Sequence, residues 1–318
     1  MPVERRARLR RSWRVYGLQL ALGGTGLAAS AAVLAAAVRT IHVRPAEAHR
    51  LAVAGVRLTY PAVNAAAAVL LGLAALGAAV LVVAVRAAWR QVRAHRRMVS
   101  ALPVSRALPD HPSVLVVDAA APLAFCAGWL RPRVYVSTGV LERLSDRELQ
   151  AVLAHEQHHG TLRDPLRLAV GRILCQALFF LPVLRNLQET YAEAAELTAD
   201  AAALEAVDGA HAPLASAMLA VGATQDGNVT GISPQRVDAL LGRPVSSQFP
   251  RLLVIAALAT IAMLVVLVWR ASADATVQAT LNLPIATSQP CILVLALVPV
   301  VACLAAAILR RPPLRSAA

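Results

Sequence analysis

The chain has 318 residues, 58% of them hydrophobic, and its mean hydropathy of +0.60 is too high for an ordinary soluble domain. Its formal net charge is +13, and all 31 basic residues are arginines because the chain contains no lysine. The absence of lysine excludes a Walker-type phosphate loop, a Ser-x-x-Lys acyl enzyme and a Schiff-base lysine. Most arginines flank hydrophobic segments, which indicates membrane topology, so direct nucleic-acid binding is not expected.

Four hydrophobic segments are long enough to cross a bilayer, which requires roughly 20 apolar residues in a helix. They cover about Tyr16–Val38, Asn64–Val85, Leu252–Trp269 and Cys291–Leu309. The first segment lacks a small-residue cleavage site and is interpreted as a retained anchor. Arginines cluster before the first segment and after the second and fourth, whereas the loop Ala271–Pro290 has none. The positive-inside rule therefore predicts that both termini and the region Arg86–Arg251 are cytoplasmic.

A fifth apolar segment, Leu166–Leu184, carries Arg172 at its centre. An arginine at the middle of a membrane helix costs roughly 2.5–3.5 kcal/mol on insertion scales. A crossing here would also place the two halves of the central region on opposite sides of the membrane. We therefore expect a helix that is buried in the domain or lies at the membrane interface.

The central region begins with two strand-like segments, Ser113–Asp118 and Arg133–Thr138, which are rich in β-branched and aromatic residues. The sequence LSDRELQAVLAHEQHH then predicts a helix, with Ser145 as its N-cap and Glu148 three residues later to complete a capping box. A second helix is predicted over about Leu187–Val207.

The first of these helices ends in AVLAHEQHHG, which holds three of the chain's eight histidines. His155 and His159 are four residues apart, so they lie on one helix face and can bind one metal ion. Glu156 follows the first histidine, where it can act as a general base towards a water at the metal. His158 competes as a ligand, but His159 completes the His-Glu-x-x-His motif, so we expect His158 to face solvent or a partner. The alternative is a polar helix end with solvated histidines.

A third ligand is expected from the acidic stripe of the second helix, because a catalytic zinc takes three protein ligands and leaves one position open. Another carboxylate one turn away can hold a ligating histidine in the correct tautomer. The periodicity does not choose between Glu193 and Glu196, and a solvated acidic face remains the alternative. The stripe consists of Glu189, Glu193, Glu196 and Asp200.

The chain resembles the BlaR/MecR-type integral-membrane zinc peptidases and, more distantly, the HtpX-like proteases. The resemblance is carried in family order by PLAFCAGWLRPRVYVSTGVL, LSDRELQAVLAHEQHHGTLRDPLR, AELTADAAAL and QRVDALLG. It implies a gluzincin fold, in which a small sheet packs on the active-site helices. By this resemblance His155, His159 and Glu196 bind one zinc ion per chain, Glu156 is the catalytic base, and Asp200 supports the ligands.

The resemblance also implies that an edge strand before the active-site helix holds an extended peptide by strand addition. That position corresponds to the sequence RVYVS, for which an ordinary core strand is the alternative. The candidate substrate-binding residues are Arg133, Val134, Tyr135, Val136 and Ser137.

Together these features predict a mainly α membrane protein, in which four transmembrane helices carry a cytoplasmic α+β gluzincin-like zinc peptidase domain. We expect a transmembrane hairpin over residues 1–100, the peptidase domain over 101–250 and a second hairpin over 251–318. The expected function is zinc-dependent cleavage of a protein substrate at the cytoplasmic face of the bilayer, as regulatory proteolysis of a repressor-like partner. The alternatives are a membrane-protein quality-control protease and a non-catalytic zinc-containing receptor or scaffold. Without lysine, β-lactam sensing through an acylation motif is not expected within this chain.

Overall fold

The computed structural model describes residues 2–40, 43–44, 49–53, 56–60, 62–63, 65–109, 111–222, 233–243, 249–274 and 277–278. The predicted fourth membrane segment, Cys291–Leu309, lies outside the described residues. The helices are α1 (Pro2–Thr40), α2 (Ala65–Ser100), α3 (Thr138–Arg143), α4 (Asp146–Leu162), α5 (Asp164–Ala177), α6 (Val183–Ala206), α7 (His211–Gly222), α8 (Pro234–Leu240) and α9 (Arg251–Asp274). The strands are β1 (Val43–Arg44), β2 (His49–Val53), β3 (Val56–Tyr60), β4 (Ala62–Val63), β5 (Val104–Leu108), β6 (His111–Val117), β7 (Ala124–Ala127), β8 (Arg133–Ser137) and β9 (Val277–Gln278).

Three of the described helices are long and apolar enough to cross a membrane: Leu9–Thr40 in α1, Ala65–Ser100 in α2 and Arg251–Ala273 in α9. They correspond to the first three segments predicted from the sequence. The chain is therefore a mainly helical membrane protein with a small sheet, as expected, and three spans of the predicted four lie within the described residues.

The fifth apolar segment does not form one continuous helix. Its first part is α5, which has 14 residues and ends at Ala177, and α6 begins only at Val183. At 1.5 Å per residue α5 is about 21 Å long, which is shorter than the roughly 30 Å of a bilayer core. Arg172 is exposed and donates from Nε to the carbonyl oxygen of Leu168 in its own helix at 3.1 Å.

A four-stranded sheet with the order β5-β6-β8-β7 lies beside the helices of the central region. Strands β6 and β8 are the two that the sequence predicts; they pair in parallel, and β7 pairs antiparallel with the other side of β8. Alternate β-branched residues of these strands pack against α3 and α4, as expected for a sheet with one buried face. This core contains Val114, Val116, Val134, Val136, Val140 and Leu153.

The sheet order corrects one expectation. Strand β8, which we expected to be an edge strand, is interior, because β6 and β7 occupy both of its hydrogen-bonding sides. Among the described strands, the edge next to β8 is β7, a four-residue strand whose sequence AFCA gave no strong strand signal.

Helix α4 begins as predicted, with a capping box in which the Ser145 N–H donates to the Glu148 carboxylate at 2.8 Å. It ends at Leu162 and is followed by Arg163, whose φ of 55° lies in the left-handed region and turns the chain directly into α5. Small residues on α4 and α6, Ala151 and Ala203, are fully buried in one core cluster and allow the two helices to approach closely.

The chain forms two compact units. One consists of residues 1–21, 88–175 and 182–251, and it contains the four-stranded sheet with α4 and α6. The other consists of residues 22–87, 176–181 and 252–318. Within the second unit, a Cβ at Gly77 would lie 2.7 Å from the Ser30 carbonyl oxygen, so α1 and α2 require a glycine there. The domain boundaries expected at residues 100 and 250 stay predictions.

Candidate metal centre

Two histidines from α4 and one glutamate from α6 converge on a single point. The Nε2 atoms of His155 and His159 lie 3.2 Å apart. The Glu196 carboxylate presents Oε2 at 3.5 Å from His155 Nε2 and Oε1 at 3.6 Å from His159 Nε2. Within the described residues, these three form the group whose ligand atoms are close enough to hold one metal ion.

The separations between these ligand atoms fit zinc. Tetrahedral bonds of about 2.0–2.2 Å place neighbouring ligand atoms about 3.3–3.6 Å apart. The two nitrogens lie 3.2 Å apart, and each oxygen of the Glu196 carboxylate lies 3.5 or 3.6 Å from one of them, so the three side chains are close enough to surround one ion. Two imidazoles and one carboxylate are also the donor set that catalytic zinc sites use.

The remaining ring nitrogen of each histidine contacts a buried carboxylate. His155 Nδ1 lies 3.0 Å from Asp200 Oδ1, and His159 Nδ1 lies 2.8 Å from Asp164 Oδ2. Both carboxylates are nearly inaccessible to solvent, with side-chain exposures of 6% and 1%. When Nδ1–H donates to such a carboxylate, Nε2 is left as the basic atom that faces the metal.

Arg236 on α8 contacts both carboxylates that α6 contributes to this centre, those of Asp200 and Glu196. Its Nε and Nη2 donate to the two oxygens of Asp200 at 2.7 and 2.6 Å, and its Nη1 lies 3.0 Å from Glu196 Oε2. These contacts raise the pKa of Arg236 although burial alone lowers it. The bidentate pair fixes the plane of the Asp200 carboxylate, and with it the ring of His155.

The buried charges perturb the titration of the site. Burial alone would lower the pKa of His155, but the close contacts with the carboxylates of Asp200 and Glu196 outweigh it and raise the pKa to about 10. Burial alone would raise the pKa of Glu196, but the contacts with His155, His159 and Arg236 lower it to about 2. A metal that binds His155 Nε2 must displace a proton, so metal affinity is expected to rise with pH.

A cleft of about 710 Å³ opens next to these ligands, and Glu156 is part of its wall. Glu156 is half-buried, as a group that exchanges protons with a substrate in the cleft has to be. Cys126 of β7 lines the same cleft, but burial and the charges of Glu156 and Asp164 raise its pKa to about 12. The raised pKa makes the thiol a poor nucleophile at neutral pH, and Cys126 is not part of the group of converging ligands.

The other acidic and histidine candidates lie elsewhere. Glu193 is half-buried and Glu189 is exposed, and neither belongs to the group of converging ligands or to the cleft wall. His158 is only 6% exposed, so the expectation that it faces solvent or a partner is wrong. His158 directly precedes His159, so the two side chains do not face the same side of the helix, and the side that His158 faces is covered by protein.

The candidate substrate strand is separate from the cleft. Val134, Tyr135, Val136 and Ser137 are buried and Arg133 is exposed, and none of the five lines the cleft. The cleft wall instead contains the whole of β7, Ala124–Ala127, together with Trp129, whose ring stacks on His95 at 4.9 Å between centroids.

Sequence reasoning missed two residues of this centre, Asp164 and Arg236. Asp164 follows His159 by five residues, which is beyond the spacing of three or four that places side chains on one helix face, and the left-handed turn at Arg163 brings it back to the ring. Arg236 lies in the QRVDALLG motif, but no pattern linked its charge to Asp200. A search for a cation to balance the acidic stripe would have found Arg236 as a candidate.

Part of the chain is similar to proteins named as proteases. Two proteins named Protease HtpX homolog 2 match: one from Methanosarcina mazei is 38% identical over 72 residues (22% of this chain, 24% of that protein), and one from Methanosarcina acetivorans is 34% identical over 86 residues (26% and 29%). Protease HtpX from a Psychrobacter species is 39% identical over 75 residues (22% and 25%). The chain thus spans about a quarter of the length of the curated relatives it matches. No solved structure matches it.

The sequence model of the family described as BlaR1 peptidase M56 covers far more of the chain, from residue 27 to residue 239. That range contains every residue of the candidate centre. Because this match extends over more than half of the 318 residues, the chain belongs to the BlaR1 peptidase M56 family, a family of membrane metallopeptidases.

Proposed function

We propose that the protein is a membrane-bound zinc endopeptidase that cleaves a protein substrate at the cytoplasmic face of the bilayer. His155, His159 and Glu196 hold the zinc ion, and Glu156 is the catalytic base. The observation that carries the proposal is the convergence of both Nε2 atoms on the Glu196 carboxylate, while each Nδ1 contacts its own buried carboxylate. A solvated acidic face has no reason to adopt that arrangement.

In the proposed mechanism, the zinc ion, the catalytic base and the residues that orient the ligands have separate roles. Bound zinc supplies Lewis-acid chemistry, which polarises the substrate carbonyl and makes water more acidic. Glu156 accepts the proton of the attacking water and returns it to the departing amine. Asp164 and Asp200 keep the two imidazoles oriented, and Arg236 keeps the Asp200 and Glu196 carboxylates ionised and in place.

For substrate binding, β7 takes the role that the sequence assigned to Arg133–Ser137. Strand addition requires backbone groups that are not already paired, and β8 has none on either side. Strand β7 lies at the sheet edge and in the cleft wall, so a peptide that pairs with Ala124–Ala127 would lie in the cleft that Glu156 also lines. The resulting main-chain recognition suits a protein substrate with an extended segment.

The proposed physiological substrate is a repressor-like cytoplasmic protein, which makes the cleavage regulatory. The proposal rests on the resemblance to BlaR/MecR-type peptidases and on the arginine bias, which favours a cytoplasmic cleft. Both termini are cytoplasmic in the same scheme.

The test is Glu156→Gln in the full-length protein, with zinc content and peptide cleavage measured on the same preparation. We expect zinc to be retained and hydrolysis to be abolished, since the change removes a base but no ligand. Loss of zinc together with activity would give Glu156 a different role. Full activity of Glu156→Gln would favour the alternative in which the zinc is structural and the measured proteolysis comes from a contaminant.

A further inference from the structure

The first membrane helix reaches the metal centre through aromatic side chains. Trp13 and Tyr16 lie in the first turns of the apolar part of α1. The guanidinium carbon of Arg167 on α5 lies 3.9 Å from the centroid of the Trp13 ring and 5.6 Å from that of Tyr16. The Arg167 side chain is only 13% exposed, and burial of the cation strengthens a cation–π contact at the shorter distance.

From Arg167 the contacts continue to a proposed zinc ligand. Arg167 Nη1 donates to the Tyr191 hydroxyl oxygen at 3.4 Å, and the same nitrogen lies 3.9 Å from Asp164 Oδ1. The Tyr191 hydroxyl donates to Asp164 Oδ1 at 2.5 Å, and Asp164 Oδ2 contacts His159 Nδ1 at 2.8 Å. Each oxygen of this buried carboxylate therefore has its own partner, one towards α1 and one towards the zinc site.

A second polar contact attaches α1 to the same helices. Gln19 is fully buried, and its Nε2 donates to Gln188 Oε1 of α6 at 2.9 Å. Gln188 in turn donates from Nε2 to the Leu168 carbonyl oxygen of α5 at 3.3 Å. Gly171 makes room for this pair, because a Cβ there would overlap Gln188 Oε1. The N-terminal part of α1 is thus connected with both α5 and α6 by buried polar groups.

We propose that Arg167 and Tyr191 are positioning residues that couple the N-terminal end of α1 to the metal site, through Asp164 and His159. A displacement of α1 that separates Trp13 from Arg167 loosens the hold of Asp164 on the His159 ring, which weakens zinc binding and slows turnover. This inference rests on the proposed function, because it takes His159 as a zinc ligand. Through these contacts, a movement of α1 is transmitted to the metal site and so to the cleft.

The first test uses full-length protein in detergent. It measures the zinc dissociation constant, by competition with a chromophoric chelator, and then kcat and KM for peptide cleavage. Tyr191→Phe and Arg167→Gln should weaken zinc binding about 3- to 30-fold and lower kcat while KM stays unchanged, since neither side chain lies in the cleft. Arg167→Lys keeps the charge and should restore most of the loss. Trp13→Leu, which removes the ring face and keeps apolar volume, should weaken zinc binding about two- to tenfold.

The chain offers a matched control in Trp89 and Arg93 of α2, whose ring centroid and guanidinium carbon are 5.0 Å apart. Trp89 is 57% exposed and Trp13 is 50% exposed, so the two tryptophans sit in comparable surroundings. Trp89→Leu should leave both zinc affinity and kcat unchanged.

A double-mutant cycle decides whether the contacts act as one route. If Trp13→Leu and Tyr191→Phe act through Arg167 and Asp164, the combined loss of zinc affinity will be at least threefold smaller than the product of the single losses. A combined loss equal to that product, or wild-type zinc affinity in Trp13→Leu, would overturn the coupling. If the wild-type chain fails to bind zinc, or keeps its zinc in Glu196→Ala, the proposed function itself fails.

Discussion

Asp200→Ala should affect zinc affinity and folding stability by two separable routes. Loss of the Asp200–His155 contact should weaken zinc binding about 10- to 100-fold, or about 1.4–2.7 kcal/mol. The same change leaves Arg236 without its bidentate partner, and both side chains are almost fully buried, with exposures of 6% for Asp200 and 11% for Arg236. Breaking a buried pair in this way costs about 3–5 kcal/mol of unfolding free energy.

The two routes are separated by the variant Asp200→Ala/Arg236→Leu. Removing the unpaired cation should restore most of the lost stability, whereas zinc affinity should stay low because His155 still lacks its partner. In detergent, thermal unfolding of the single variant should occur about 6–20 °C lower than in wild type. Asp238→Ala, which breaks an exposed pair with Arg243, is the control and should change neither quantity appreciably. Unchanged zinc affinity in a folded Asp200→Ala protein would refute the positioning role of Asp200.

Three further predictions follow from the site, the topology and the packing. Glu196→Ala should strip the metal, because two imidazoles alone bind zinc weakly, while Glu193→Ala should leave zinc content at wild-type levels; the reverse result would exchange their roles. A topology reporter fused after Ser100 or Gly242 should behave as cytoplasmic and one at Ala275 as external, and an external signal at Gly242 would contradict the cytoplasmic cleft. Gly171→Ala should destabilise the fold by about 1–3 kcal/mol, because the new methyl group displaces Gln188. Gly24→Ala is the control and should be neutral or stabilising, because nothing lies within 4 Å of the added methyl group. Equal unfolding temperatures for the two variants would argue against the Gln19–Gln188 contact.

The sequence predicted those parts of the fold that depend on local pattern. The capping box at Ser145, the β-branched strands β6 and β8 and three long apolar helices each follow from residues close together in the chain. The edge strand β7 was missed because four residues of mixed size carry too little periodicity, and β8 was taken for the edge because pairing order is a property of the whole sheet.

Among the residues of the candidate centre, some can be predicted from local sequence pattern and others depend on how the helices pack. His155 and His159 are brought together by helical spacing alone, so their pairing is local. The choice of Glu196 over Glu193 depends on the rotation of α6 against α4, which the acidic stripe leaves undetermined and only the packed helices fix. Arg236 and Asp164 reach the site through a separate helix and a tight turn, and neither is visible from periodicity.

The unit that holds the metal centre takes its residues from three separated stretches of the chain, and its last helix in sequence order is α8, which directly precedes α9. The histidines of α4 and the carboxylates of α6 are synthesised, and leave the ribosome, well before Arg236. During synthesis, therefore, Asp200 and Glu196 lack the cation that orients them until about three quarters of the chain has been made. Nascent chains arrested before Ser233 should accordingly bind zinc more weakly than chains released after Gly242.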